Sequence, residues 1–172
     1  MRMPTILKIL LGNKKAAFGL AIVVTFVLMA LFAPLLASNE PTKRVARPHQ
    51  PPSVELVMGS NRMGHDLWAQ FTSGARISLM VGFGAGLLVC ALAIGIGITA
   101  GYFGGVVDEC LTFLMNVVLV IPNLPLLLVL ASFIGEASPT VIALIIGFTS
   151  WAYGARVIRA QTLALREKEF VI

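Results

Sequence analysis

The sequence predicts an all-α, polytopic membrane protein, and three observations predict it. Four uncharged runs, Ala16 to Asn39, Ile77 to Val107, Cys110 to Gly135 and Ala137 to Ala155, are 19 to 31 residues long. A helix needs about 20 apolar residues to cross a hydrocarbon core roughly 30 Å thick. Hydrophobic residues make up 58% of the chain and charged residues 12%, against about 45–50% and 25% in soluble domains, so water cannot solvate every side. The strand-like alternation of a lipid-facing barrel is absent, and backbone groups in lipid must then be satisfied within helices.

At the N-terminus, Arg2, Lys8, Lys14 and Lys15 precede an apolar run, a pattern that also fronts a secretory signal. Ala16 to Ala37 exceeds the roughly 7–15-residue apolar region of a signal. Leu35-Leu36-Ala37 puts a bulky Leu where cleavage requires a small residue, so a retained anchor is expected. The 13 Lys and Arg divide into four in residues 1–15, five in 38–76, none in 104–110 and four in 156–172. Per residue the two ends are the positive ones, and the positive-inside bias places both termini in the cytoplasm. The expected order is a cytoplasmic N-terminus over 1–15, span 1 over 16–37, an extracytoplasmic loop over 38–76 and span 2 over 77–103. A cytoplasmic turn over 104–110, span 3 over 111–134, an extracytoplasmic turn over 135–139, span 4 over 140–158 and a cytoplasmic segment over 159–172 complete it, as one transmembrane domain.

Each element carries its own signals. In the outer loop, Pro41, Pro48, Pro51 and Pro52 forbid helix and favour extended geometry. Gly59, Gly64 and Gly74 mark turns, and a short helix from Asp66 to Thr72 leads towards span 2. In span 2, Ala93, Gly97, Gly101 and Gly105 recur every four residues and put small groups on one helix face. That stripe serves either packing within this chain or a subunit interface. Gly95-Ile96-Gly97-Ile98-Thr99-Ala100 matches a dinucleotide fingerprint only literally, because no strand precedes it and no acid follows about 20 residues on. In span 3, Ile121-Pro122-Asn123-Leu124-Pro125 removes two amide donors and predicts a kink or break. Asn116 and Asn123 are its polar candidates for lining a passage, with Pro122 and Pro125 as the breakers; a kink that only shapes the bundle is the alternative. At the end of span 4, Arg156 and Arg159 share one face and can anchor it at the cytoplasmic surface. Arg166, Glu167, Lys168 and Glu169 continue as a mixed-charge segment.

Several chemistries are excluded. No P-loop occurs, so the chain does not hydrolyse nucleotide by that route. His49 and His65, the two histidines, lie in the outer loop, and neither a Ser-His-Asp set nor H-E-x-x-H exists for catalysis. For His65 beside Asp66 a loop hydrogen bond is expected. Cys90 and Cys110 lack the spacing of a disulfide framework or a zinc site and read as small packing residues. No catalytic residue, metal ligand or cofactor is assigned. The net charge of +5 borders the spans without aromatic interleaving, so nucleic acid is not expected as a partner, whereas membrane lipid is. The spans hold no Asp, Glu, Lys or Arg before Arg156, which disfavours an ion-coupled carrier.

Five motifs in order resemble the inner-membrane permease subunits of bacterial binding-protein-dependent ABC importers, specifically the dipeptide/oligopeptide/nickel group. The family pattern L-G-T-D-x-x-G-R-D resembles Met58-Gly59-Ser60-Asn61-Arg62-Met63-Gly64-His65-Asp66, and G-A-R-x-S-L matches Gly74-Ala75-Arg76-Ile77-Ser78-Leu79. Ala100-Gly101-Tyr102-Phe103-Gly104-Gly105 with Asp108 is similar to A-G-Y-x-G-G-x-x-D. The proline of Ile121-Pro122 follows, then Trp151 with Ala155 to Gln161, and finally Leu165 to Val171. The chain departs from the pattern at Asn61 and His65, where Asp and Arg are usual, and at Phe113 and Asn116, where Arg and Asp commonly sit.

The resemblance implies a type I ABC importer transmembrane domain with four of an expected six spans, in the bacterial inner membrane. It implies a non-catalytic permease subunit that forms half of a translocation pathway, with peptide the first expected cargo and nickel, glutathione or oligosaccharide the others. The implied partners are a second homologous permease, two ATPase subunits that use the ATP, and an extracytoplasmic solute-binding protein contacted by the outer loop. In that family the final run leads into a Glu-Ala-Ala coupling motif and two further spans. The resemblance thus implies that these lie beyond Ile172, in a truncated sequence or a partial gene product. A secondary carrier and a non-transport assembly subunit are the alternatives.

Overall fold

The structure, a computed structural model, describes residues 12–134 and 138–166. Its order is α1 (Lys14–Leu36), α2 (Leu67–Phe103), α3 (Gly105–Val120), α4 (Asn123–Ile134) and α5 (Pro139–Arg166). Among the described residues there is no strand, only two isolated bridges. The expected segments over 1–11, the turn residues 135–137 and the mixed-charge residues Glu167, Lys168 and Glu169 lie outside the described residues. Three helices, α1, α2 and α5, are long and apolar enough to cross a membrane, and α3 with α4 forms a bent pair that becomes a fourth if counted as one span. Large apolar side chains stand outward, Phe18, Leu35, Leu128 and Phe133 among them. That surface suits lipid and not water. The chain divides into two compact units, Met1–Leu79 and Met80–Ile172.

In the first unit, Asn13 caps α1 by accepting from the Lys15 amide at 3.1 Å, satisfying one of the orphan donors of a helix start. At 23 residues the helix is about 35 Å long, enough for a crossing. Thr25 donates its hydroxyl to the Ala21 carbonyl at 2.8 Å, so its polar group needs no partner from lipid. The outer loop is tied by its own polar groups. Ser60 donates to the Arg47 carbonyl at 2.6 Å and accepts from the Gln50 amide at 2.9 Å. Asn61 Oδ1 accepts from the amides of Met63 and His65, turn chemistry that an acidic residue would also supply. Gly64 sits at φ 80°, its carbonyl takes the amides of Val45 and Ala46, and an added Cβ would strike the Ala46 carbonyl oxygen.

Asp66 starts α2. Its Oδ1 accepts from the amides of Trp68 at 2.9 Å and Ala69 at 3.4 Å, and its Oδ2 accepts from Asn39 Nδ2 at 2.9 Å. One buried carboxylate thus closes the loop and caps the helix. His65 does not pair with it: its ring Nδ1 meets Gln70 Nε2 at 3.3 Å. The expected short helix from Asp66 is the first two turns of α2, which continues unbroken for 37 residues, about 55 Å. Trp68 donates Nε1–H to the Leu36 carbonyl and Phe71 meets Phe26 edge-on with centroids 6.3 Å apart, joining α1 to α2 within this unit.

The second unit packs on small residues. Ala93, Ala100, Met115, Trp151, Ala152 and Ala155 form its buried cluster. A Cβ added to Gly97 would stand 2.7 Å from the Ala155 carbonyl oxygen, and one added to Gly101 would stand 2.7 Å from Thr162 Cβ. Those two glycines let the α2 and α5 backbones approach closely. Gly105 does not share the contact: an added Cβ there meets nothing within 4 Å. The reason is that α2 ends at Phe103 and the turn Gly104, at φ 66°, starts α3, so the four-residue stripe leaves its helix before its last member.

Gly101→Val is expected to cost about 1–3 kcal/mol by overpacking and to lower the melting temperature of the detergent-purified protein. Gly19→Ala, where nothing lies within 4 Å, should leave it unchanged or raised. Asp66→Ala is expected to cost about 1–2 kcal/mol as a lost cap, and Asp66→Asn to retain most of it, read in the same melting assay.

Candidate functional site

The helices α3 and α5 carry polar side chains where they face each other. On α3, Asp108, Thr112 and Asn116 recur every four residues and therefore share a face. On α5, Ser150, Tyr153, Arg156 and Arg159 recur every three. The first rung is an ion pair: Arg159 Nε donates to Asp108 Oδ1, and Arg159 Nη2 donates to Asp108 Oδ2 at 2.6 Å. This is the side-on, two-bond geometry that fixes orientation as well as charge. Thr112 donates its hydroxyl to the same Oδ1 at 3.2 Å. Asp108 lies in the first turn of α3, where a negative charge also favours the helix dipole. The second rung is Arg156 Nη2 donating to Asn116 Oδ1 at 2.6 Å. Beyond the first, Arg166 Nη1 donates to the Tyr102 carbonyl at 3.2 Å.

The seam ends at a break. Helix α3 stops at Val120, Ile121 turns extended at φ −72° and ψ 122°, and α4 starts at Asn123, leaving the two axes 78° apart. Pro122 and Pro125 have no N–H, so the carbonyls of Val118 and Ile121 lose the amides that would meet them four residues on. A cavity of about 230 Å³ opens there, lined on one side by Val118, Ile121, Pro122 and Asn123 and on the other by Thr149, Ser150 and Tyr153. Thr149 donates its hydroxyl to the Ile145 carbonyl at 2.9 Å.

The sequence candidates fall into three places. Pro122 and Asn123 line the cavity, and Pro125 stands just beyond it in the first turn of α4. Asn116 is on the seam, bonded to Arg156, and Arg159 is bonded to Asp108, so the two arginines expected as cytoplasmic anchors both reach α3. Gly97 and Gly101 are on the α2–α5 contact, and Gly105 is in the turn. Asp108, Thr112, Ser150 and Tyr153 were not singled out from sequence as site residues, although their spacing of three and four marks a helix face. Among the described residues no group of three metal-binding side chains exists, and Cys90 and Cys110 are free thiols.

An apolar helical fold with a proline break and a polar interhelical seam defines a multi-pass membrane protein. Residues 93–172 match the binding-protein-dependent transport system inner membrane component, and residues 5–52 match the N-terminal transmembrane domain of oligopeptide transport permease C. By these two matches the chain is similar to the inner membrane components of binding-protein-dependent transport systems. It is 32% identical over 165 residues to the dipeptide transport system permease protein DppC of Alkalihalophilus pseudofirmus, across 93% of this chain and 53% of the relative. It is 30% identical over 162 residues to the oligopeptide transport system permease protein OppC of Bacillus subtilis, across 94% and 53%. With the dipeptide transport system permease protein DppC of Haemophilus influenzae the identity is 31%, across 92% and 56%. The chain spans about half the length of the curated relatives it matches.

Asp108→Asn and Arg159→Gln are each expected to lower the melting temperature. The double variant Asp108→Asn with Arg159→Gln should cost less than the two singles summed, a coupling of about 1–2 kcal/mol in a double-mutant cycle. Singles that add without coupling would show that the pair does not hold α3 to α5.

Proposed function

We propose that this chain is the membrane-spanning permease subunit of an ATP-driven importer and forms half of a translocation pathway for peptides. One observation carries the reading: more than nine-tenths of the chain aligns, at about 30% identity, with proteins named dipeptide or oligopeptide transport permeases. The broken span beside a polar seam supports it, because freed carbonyls at membrane depth are tolerated where they meet water or protein. A second permease subunit, ATPase subunits and an extracytoplasmic binding protein complete the importer. The chain resides in the inner membrane with both termini in the cytoplasm, and ATP is hydrolysed by the partner subunits. The chain supplies moving wall, and the partners bias two access states through their differential affinity for each.

Deleting the gene in its own host is expected to abolish uptake of a radiolabelled dipeptide, and a plasmid copy to restore it. The purified chain alone in liposomes is expected to take up nothing under an ion gradient. Uptake by the chain alone, or undiminished uptake after deletion, would overturn the assignment.

A further inference from the structure

We propose that the α3–α5 seam is the peptide-binding wall of the pathway: the cavity at the helix break takes a peptide group of the cargo, and Arg156, one turn further along α5, takes its terminal carboxylate. The inference rests on the importer reading above and adds to it the residues that recognise the cargo.

The cavity offers both halves of the hydrogen bonding that a peptide group requires. The carbonyls of Val118 and Ile121 are acceptors whose amide partners are replaced by Pro122 and Pro125. The Asn123 side chain carries a donor and an acceptor. Thr149 spends its hydroxyl on its own helix, as Thr25, Thr99 and Thr162 do on theirs. Ser150 and Tyr153, which line the cavity, make no such bond among the described residues, so their hydroxyls keep donors to offer. A volume of about 230 Å³ holds several waters at roughly 30 Å³ each. A peptide unit with a small side chain can displace them without leaving the freed carbonyls bare.

Charge places the carboxylate. Arg159 is neutralised by the two-bond contact with Asp108, whereas Arg156 among the described residues bonds only to the neutral Asn116. Among the described residues no carboxylate meets its charge, and a guanidinium binds a carboxylate through two parallel bonds. Tyr153 lines the cavity, and Arg156 follows three residues on, about 4.5 Å along the helix. In an extended peptide the terminal carboxylate follows the last peptide group by one residue, about 3.5 Å. The spacing suits the C-terminal end of a short peptide lying along α5.

The test uses membranes carrying the assembled importer, with Cys90 and Cys110 replaced by Ala. Ser150→Cys and Asn123→Cys are each exposed to a charged thiol reagent. Both are expected to react, and dialanine at roughly ten times its Kd should slow the reaction about tenfold. Val54→Cys, fully exposed in the loop between α1 and α2, should react at a rate that dialanine leaves unchanged. Adding Arg156→Gln should remove the protection at position 150, read as the ratio of the rates with and without dialanine. Thiols at both 150 and 123 that ignore the reagent, or that react equally with and without dialanine while uptake persists, would overturn the proposal. Protection that survives Arg156→Gln would overturn the role of Arg156. Failure of the unmodified importer to take up any peptide would instead overturn the importer reading.

Discussion

A guanidinium among apolar helices is costly until something meets its charge, and the arrangement of the second unit follows from how Arg159 is met. Asp108 lies 51 residues away in sequence and in the first turn of α3. Satisfying both of its oxygens fixes the rotation and the register of α3 against α5 together. Once that rung is set, the four-residue rise of α3 brings Thr112 and Asn116 onto the same seam, and the break follows within two turns. Breaking one side of such a pair is more damaging than never having had it, because the partner is left charged and unmatched. The glycine contacts act from the other side: Gly97 and Gly101 admit the α5 backbone to α2, so α5 is held between a close apolar contact and a polar one.

Much of this was legible in the sequence, in proportion to how local each signal is. Apolar runs announced the spans because lipid sets the required length directly. The paired prolines announced the break at Ile121 because a missing N–H acts within four residues. Helix starts answer to capping as well as to hydrophobicity. Apolarity begins at Ile77, but α2 begins at Leu67 because Asp66 supplies the acceptor for its first amides. Of the small-residue stripe, Gly97 and Gly101 lie on the α2–α5 contact and Gly105 does not, since the period persists in sequence after the helix has ended. The partners of Arg156 and Arg159 were not legible at all. Both cations face outward by composition, and only the fold brings Asn116 and Asp108 beneath them.

The outer loop illustrates the opposite economy. It departs from the motif it resembles at Asn61 and His65, yet its turns close, because Asn61 Oδ1 accepts the amides of Met63 and His65 and a carboxylate oxygen would do the same. The substitution changes charge while conserving the acceptor. Its tie to α2 rests on Asp66, an acid present in both the family pattern and this chain.

The interruption at Ile121–Pro122 has a mechanical corollary. Helices α3 and α4 are two stiff rods of 16 and 12 residues joined at a corner, not one rod of their combined length. The corner lets α4 take a direction 78° from that of α3 while Asp108 and Arg159 hold α3 to α5. One crossing thus presents two differently aimed surfaces to the same neighbouring helix.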